Sequence, residues 1–207
     1  MTSQPEIYYF IISSFLLIIS PGSDNIFLVA QSIRFGPQAG LFTALGLASG
    51  NLIHTIAAAL GITLIIKTSP LAFSSLKFLG AAYLTFLAYQ IITSGNKPKT
   101  HQTTSHFDNA AFFKKGLLLN VLNPKIALFF IAFMPQFIPS SSTQQHIDII
   151  ILGLIFASMV TIIFGSIGLF AGRAMQFFHI KPGSYQIINW IIALIFITLA
   201  INLILTG

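Results

Sequence analysis

Two short stretches place reactive side chains where apolar sequence should run unbroken. "SPGSDN" at 20–25 sets Asp24 inside one hydrophobic segment, and "NPK" at 123–125 sets Lys125 inside another. An ionised carboxylate at bilayer depth costs roughly 2.5–3.5 kcal/mol on insertion scales, so such a residue marks a functional position by default. Asp24 can take up and release a proton, or it can cap a half-helix beginning near Ile26, a task open equally to Ser23 and Asn25. The two roles are compatible. Pro21 and Gly22 free backbone groups, and the N-terminus of the half-helix turns N–H donors and a positive dipole end toward an anion such as a carboxylate. Lys125 either pairs with Asp24, meets that anion, or snorkels toward the interface along its flexible stem. Asn123, which precedes Pro124, is biased away from helical backbone and can donate or accept inside the second break.

A third segment, "GLFTALGLASGNLIHTIAAALG" at 40–61, repeats small and polar residues at helical spacing. Gly46, Gly50 and His54 recur every four residues on one narrow face, and Asn51 lies three residues before His54. The glycines read first as close-packing positions for a neighbouring helix and second as substrate contacts. His54 either relays protons, because its charge changes near neutral pH, or bonds a backbone carbonyl. His101, His106 and Asp108 resemble metal ligands in composition but read as part of a solvated linker, so neither metal nor cofactor is expected. GxGxxG, P-loop and HExxH motifs are absent, and a lone intramembrane acid cannot form an aspartic-protease dyad, so enzyme chemistry has no footing.

The elements that must hold these residues follow from composition. The chain has 207 residues, 55% hydrophobic and 7% charged, with mean hydropathy +0.88, which cannot supply a solvated surface for a soluble globule. Apolar runs fall at about 7–33, 39–66, 71–92, 112–138, 147–175 and 185–205, each at or above the roughly 20 residues that cross the hydrocarbon core. Helices are required because lipid offers no partner for free backbone groups, and the period-two alternation of a barrel is missing. Punctuation such as "FGPQ" at 35–38, "KTSP" at 67–70, "PSSSTQQ" at 139–145 and "KPGS" at 181–184 marks the connections.

The expected fold is an all-α integral membrane domain spanning 1–207, with six transmembrane helices. Three helices (1–93) and three more (111–207) flank a polar cytoplasmic loop (94–110). An odd number of helices per half inverts the second half, and each half opens with a proline-broken helix, the plan by which secondary transporters build a midplane site.

Cations follow helices one, three and five (Arg34; Lys97, Lys99, Lys114 and Lys115; Arg173 and Lys181), against at most Lys67 and Lys77 on the other side, which places both termini outside the cytoplasm. Tyr8, Tyr9, Tyr185 and Trp190 fit interfacial anchors. The first segment lacks a basic leading region and a small-residue cleavage site, so it reads as retained rather than as a signal peptide. Ten Lys/Arg against four Asp/Glu do not form the clustered face that nucleic acid requires. Absence of cysteine excludes disulfides and thiolate chemistry.

"SPGSDNIFLVAQSIRFG", "GLASGNLIHTIAAALG", "LKFLGAAYLTFLAYQ" and "NVLNPKIALFFIAFMPQFI" resemble, in order and spacing, the hallmark segments of the lysine-exporter (LysE/RhtB) family, which includes the homoserine and threonine exporters. The likeness covers essentially the whole chain. It implies a multi-pass protein of the bacterial inner (plasma) membrane that exports amino acids or their derivatives by proton antiport. The family pattern falls on Pro21, Gly22, Asp24, Gly46, Gly50, His54, Gly80, Tyr83, Asn123, Pro124, Lys125, Pro135 and Gln136. Ser23 stands where many relatives carry proline, and neutral Asn51 where many carry an acid.

The resulting expectation is an exporter in which the first half-helix, with Asn25, and Asn123 bind the substrate's carboxylate and amine while Asp24, with His54, exchanges a proton. Its partners are then a small amino acid, protons and the lipid bilayer, and a homo-oligomer is compatible with it. The rivals are a metal-cation exporter and a non-transporting membrane subunit that packs through its glycine face.

Overall fold

Proline and glycine cut the first apolar segment at the predicted place. The computed structural model describes residues 4–61, 69–93, 108–139, 142–177 and 182–205. Helix α1 (Gln4–Ile19) stops before Pro21, which disfavours helical backbone at Ser20. Gly22 then runs extended, and α2 (Ser23–Phe35) leaves at 56° to α1. A single residue, Gly36, turns the chain into α3 (Pro37–Ala59). Its φ of 89° is a conformation that a side chain resists, and Pro37 starts the next helix where its missing N–H costs nothing. The helix therefore begins two residues before the apolar run suggests.

After α4 (Pro70–Thr93), the second break mirrors the first. Helix α5 (Asn109–Val121) is followed by α6 (Pro124–Leu128), a π turn (Phe129–Phe133) and a 3-10 turn (Met134–Phe137), with a 52° bend between the two parts. Pro124 occupies the first turn of α6, and the Asn123 side chain accepts from the Lys125 N–H at 3.0 Å, so this half-helix is capped. The widened turn sits in an aromatic cluster where Phe129 stacks on Phe156 at 4.5 Å between ring centroids. Helices α7 (Gln145–Phe177) and α8 (Pro182–Leu205) complete the chain.

All described regular structure is helical. Helices α3 and α7 are each long and apolar enough to cross a membrane, and each bent pair passes when counted as one span. Together with the 24-residue α4 and α8, these units fall where the sequence places its six apolar runs. Large apolar side chains face outward along them, including Phe170 at 70% and Leu205 at 77% exposure, a surface suited to lipid rather than water. Most of the central polar loop, 94–107, lies outside the described residues. Its expected end does not hold, because α5 already starts at Asn109, where Asp108 accepts from the Ala111 N–H at 3.1 Å. Lys114 and Lys115 lie in the second turn of this helix.

Helix α3 is the centre of the packing, with α5 on one side and α7 on the other, while α4 and α8 pack on each other. Small residues set these distances. A Cβ on Gly46 would strike the Phe113 carbonyl, and one on Gly116 would strike the Thr43 carbonyl, so α3 and α5 meet backbone to backbone. Gly40 and Gly168 do the same between α3 and α7, each lacking room for a Cβ at 2.9 Å from the other's backbone.

Candidate functional site

The two breaks meet at Asp24. It is 4% exposed, in the first turn of α2, and its carboxylate accepts from Asn123 Nδ2 at 2.6 Å and from Asn120 Nδ2 at 3.1 Å. Ser23 Oγ donates at 3.4 Å and itself accepts from Asn123 Nδ2 at 3.3 Å. Three side chains from both halves of the chain therefore hold one buried acid. A hydroxyl accepts as readily as it donates, so Ser23 can serve either protonation state of Asp24.

Asp24 is not the cap of α2, contrary to one of the two roles open to it from the sequence. The helix starts at Ser23 instead of near Ile26, its cap position is Gly22, and no side chain bonds the first turn. Nor does Asp24 pair with Lys125: among the described residues no ion pair joins them. Lys125 Nζ instead donates to the carbonyls of Ser20 at 3.0 Å and Leu17 at 3.3 Å. Asn25 Nδ2 donates to the carbonyls of Ile18 at 3.0 Å and Ser20 at 3.3 Å. The break strands the last carbonyls of α1, and these two side chains satisfy them. Asn25, expected at the substrate, is spent on this task.

Replacing Lys125 with methionine should therefore lower stability by about 1–3 kcal/mol, the cost of leaving the part-buried Leu17 carbonyl unpaired while Asn25 still bonds that of Ser20. A melting curve of detergent-purified Lys125→Met unchanged from wild type would show that the bonds to Leu17 and Ser20 carry no weight.

Helix α3 supplies the wall behind Asp24. His54 Nε2 lies 3.2 Å from the Asn120 carbonyl, and its ring stacks on Phe130 at 5.6 Å, which is the backbone-bonded alternative of the two foreseen. Asn51 is fully buried, with Nδ2 donating to the Leu47 carbonyl at 3.1 Å and Oδ1 unpartnered. A Cβ on Gly50 would come within 2.5 Å of Asn120 Oδ1, so this glycine makes room for the side chain that reaches Asp24. Asn120 was not among the residues expected at the site. The available signal was its position three residues before Asn123, an amide in the last turn of the helix that leads into the break.

A cavity of about 330 Å³ opens beside the breaks, at the lower end of the range of roughly 300–1,000 Å³ for small-molecule sites. Pro21, Gly22 and Ser23 from the first break and Asn123, Pro124 and Lys125 from the second form one side, with Lys77, Gly80 and Tyr83 of α4 among the residues opposite. Gly80 leaves only 2.5 Å between a would-be Cβ and the Leu122 carbonyl, and Tyr83 donates to the Lys115 carbonyl at 3.3 Å. A separate cavity of about 20 Å³, lined in part by Asp24, Asn51 and Asn120, exceeds the ~10–15 Å³ that one water needs. Of the loop trio, His101 and His106 lie outside the described residues, and Asp108 caps α5.

A family model of LysE type translocators matches residues 15–207. The chain is 32% identical over 165 residues to an uncharacterized membrane protein, YrhP, of Bacillus subtilis, covering 72% of each. It is 31% identical over 147 residues to the leucine efflux protein of Salmonella choleraesuis, covering 69% of this chain and 68% of that one. An uncharacterized membrane protein of Pseudomonas aeruginosa, PA4757, is 29% identical over 172 residues, covering 81% of this chain and 79% of its own length. No solved structure matches.

Proposed function

This chain belongs to the LysE type translocator family, and from that premise we propose that it is a secondary transporter exporting a small amino acid or amino-acid derivative by proton antiport. The observation that carries the proposal is the position of Asp24. Its hydrogen bonds run from the first broken helix to Asn120 and Asn123 of the second. Relative motion of the two halves must break or remake those bonds, so the protonation state of Asp24 and the direction the site faces are coupled.

The packing supports an inverted repeat. The first half consists of the α1–α2 pair, α3 and α4, and the second of the α5–α6 pair, α7 and α8. In such a plan the second helices of each half face each other, as do the third, and α3 packs on α7 while α4 packs on α8. The name of the leucine efflux relative favours a neutral amino acid. The substrate sits in the 330 Å³ cavity, within reach of both breaks.

Purified protein in liposomes loaded with labelled leucine should release it faster when the outside is acidified, in a direction set by the proton gradient. Failure of every amino acid in a broad panel to move would overturn the reading.

The protein lies in the bacterial inner membrane with both termini external, on the bias of Arg34, Arg173 and the central-loop cations. Lys77 leaves that count, since it is buried within α4. The natural chain has no cysteine, so single replacements report cleanly. Thr143→Cys should react with an impermeant maleimide in intact cells and Thr103→Cys only after lysis, and the reverse pattern would invert the orientation.

A further inference from the structure

We propose that Lys77 anchors the carboxylate of the transported molecule, and that the cavity takes neutral amino acids with apolar side chains and excludes basic ones. Transport itself rests on the export reading above, whereas the binding chemistry rests on the cavity alone.

Lys77 is 7% exposed and lines the 330 Å³ cavity. Among the described residues it has no hydrogen-bond or ion-pair partner, and its nitrogen is not one of the enclosed unpartnered polar atoms, so its three donors are open to a ligand in the cavity. The other polar side chains on the cavity are engaged. Lys125 is held by the carbonyls of Leu17 and Ser20, Tyr83 by that of Lys115, and Asn123 by Asp24 and the α6 cap. Asn202 also has a partner.

No acid lines the cavity, whereas two lysines and the start of α2 at Gly22 and Ser23 do. The positive end of that helix acts on the same space as Lys77. An ammonium with three donors and no competing acceptor suits a carboxylate. The rest of the wall is Leu84, Leu119, Leu122, Leu128, Leu199 and Leu203, which suits an aliphatic side chain. A lysine or arginine substrate would bring a second cation beside Lys77 and Lys125 with no acid to receive it, an electrostatic rejection.

Ligand chemistry separates these parts. Detergent-purified protein is tested with leucine, with 4-methylpentanoate, which keeps the carboxylate and lacks the amine, with leucinol, which lacks the carboxylate, and with lysine. Wild type is expected to bind leucine and 4-methylpentanoate and to bind leucinol and lysine at least roughly tenfold more weakly. Lys77→Met should weaken leucine and 4-methylpentanoate by roughly 10- to 100-fold, the span of a lost charge-assisted hydrogen bond, and leave leucinol unchanged. Lys77→Arg should recover most of the loss, which separates an anchoring role from damage to the fold. Equal binding of leucine by wild type and Lys77→Met, equal binding of leucinol and leucine by wild type, or no carboxylate binding at all would each overturn the assignment. The export reading fails separately: if carboxylate binding depends on Lys77 as stated but liposomes move no amino acid, the site stands and transport falls. If Lys77→Met exports leucine as well as wild type does, transport stands and the anchor falls.

Discussion

Asp24→Asn should abolish export against a concentration gradient while leaving a folded protein that still exchanges substrate for substrate. Asparagine has the same shape, and its oxygen can accept from Asn123 as the carboxylate does at 2.6 Å. Its amide nitrogen would then face the Asn120 amide nitrogen, two donors in opposition. The Asn120 amide can rotate to present Oδ1, which is buried without a partner in the native protein, so the mismatch is relieved at little cost. What asparagine cannot do is bind a proton and lose it again. Uphill movement driven by a pH gradient should vanish, and exchange with equal substrate on both sides should persist with no pH dependence of its own. The measurement is counterflow and gradient-driven transport in the same liposome preparation. Should Asp24→Asn concentrate substrate with its proton dependence intact, coupling resides elsewhere, and His54 becomes the next candidate because its ring lies against the Asn120 carbonyl beside the site.

The second large effect is on the fold. Gly46→Leu is expected to give little or no monodisperse protein. The atom blocking even a Cβ at this position is the backbone carbonyl of Phe113, which cannot rotate aside as a side chain can. Overpacking a core costs about 1–3 kcal/mol where neighbours can shift, and here a whole helix must move. Displacement of α5 from α3 also carries Asn120 away from Asp24, so any protein recovered should lack coupled transport. Phe42→Leu, a half-buried position on the same helix, is the control and should change yield and melting temperature little. A Gly46→Leu protein of normal yield and stability would remove the close crossing of α3 and α5 from the account.

Much of the architecture is local in origin and was therefore legible in the residues. Long apolar runs force helices because lipid leaves no alternative partner for the backbone. Pro21 and Pro124 stop those helices wherever they fold, since a missing N–H and a ring clash act on the immediate neighbours. The glycines of α3 declared a close crossing by their spacing, and the exposed apolar surface follows from composition. Asp24 and Asn123 stood out for the same local reason, as polar groups placed where each costs free energy.

Partnership was not legible. Asp24 finds Asn120 and Asn123 at sequence separations of 96 and 99 residues, and Lys125 finds Ser20 at 105. Attraction of opposite charges suggested a pair between Asp24 and Lys125, but the stranded carbonyls of α1 hold the ammonium. Asn25 belongs to the same repair. Lys77 was counted among the topology cations because only tertiary packing of α4 against α8 and the two breaks buries most of its side chain. Backbone hydrogen bonds within a helix are satisfied by residues a turn away, so sequence alone determines where helices run and break. Side-chain polar groups take whichever partner the helix crossings bring within about 3 Å, so the composition of the site was decided by the tertiary structure.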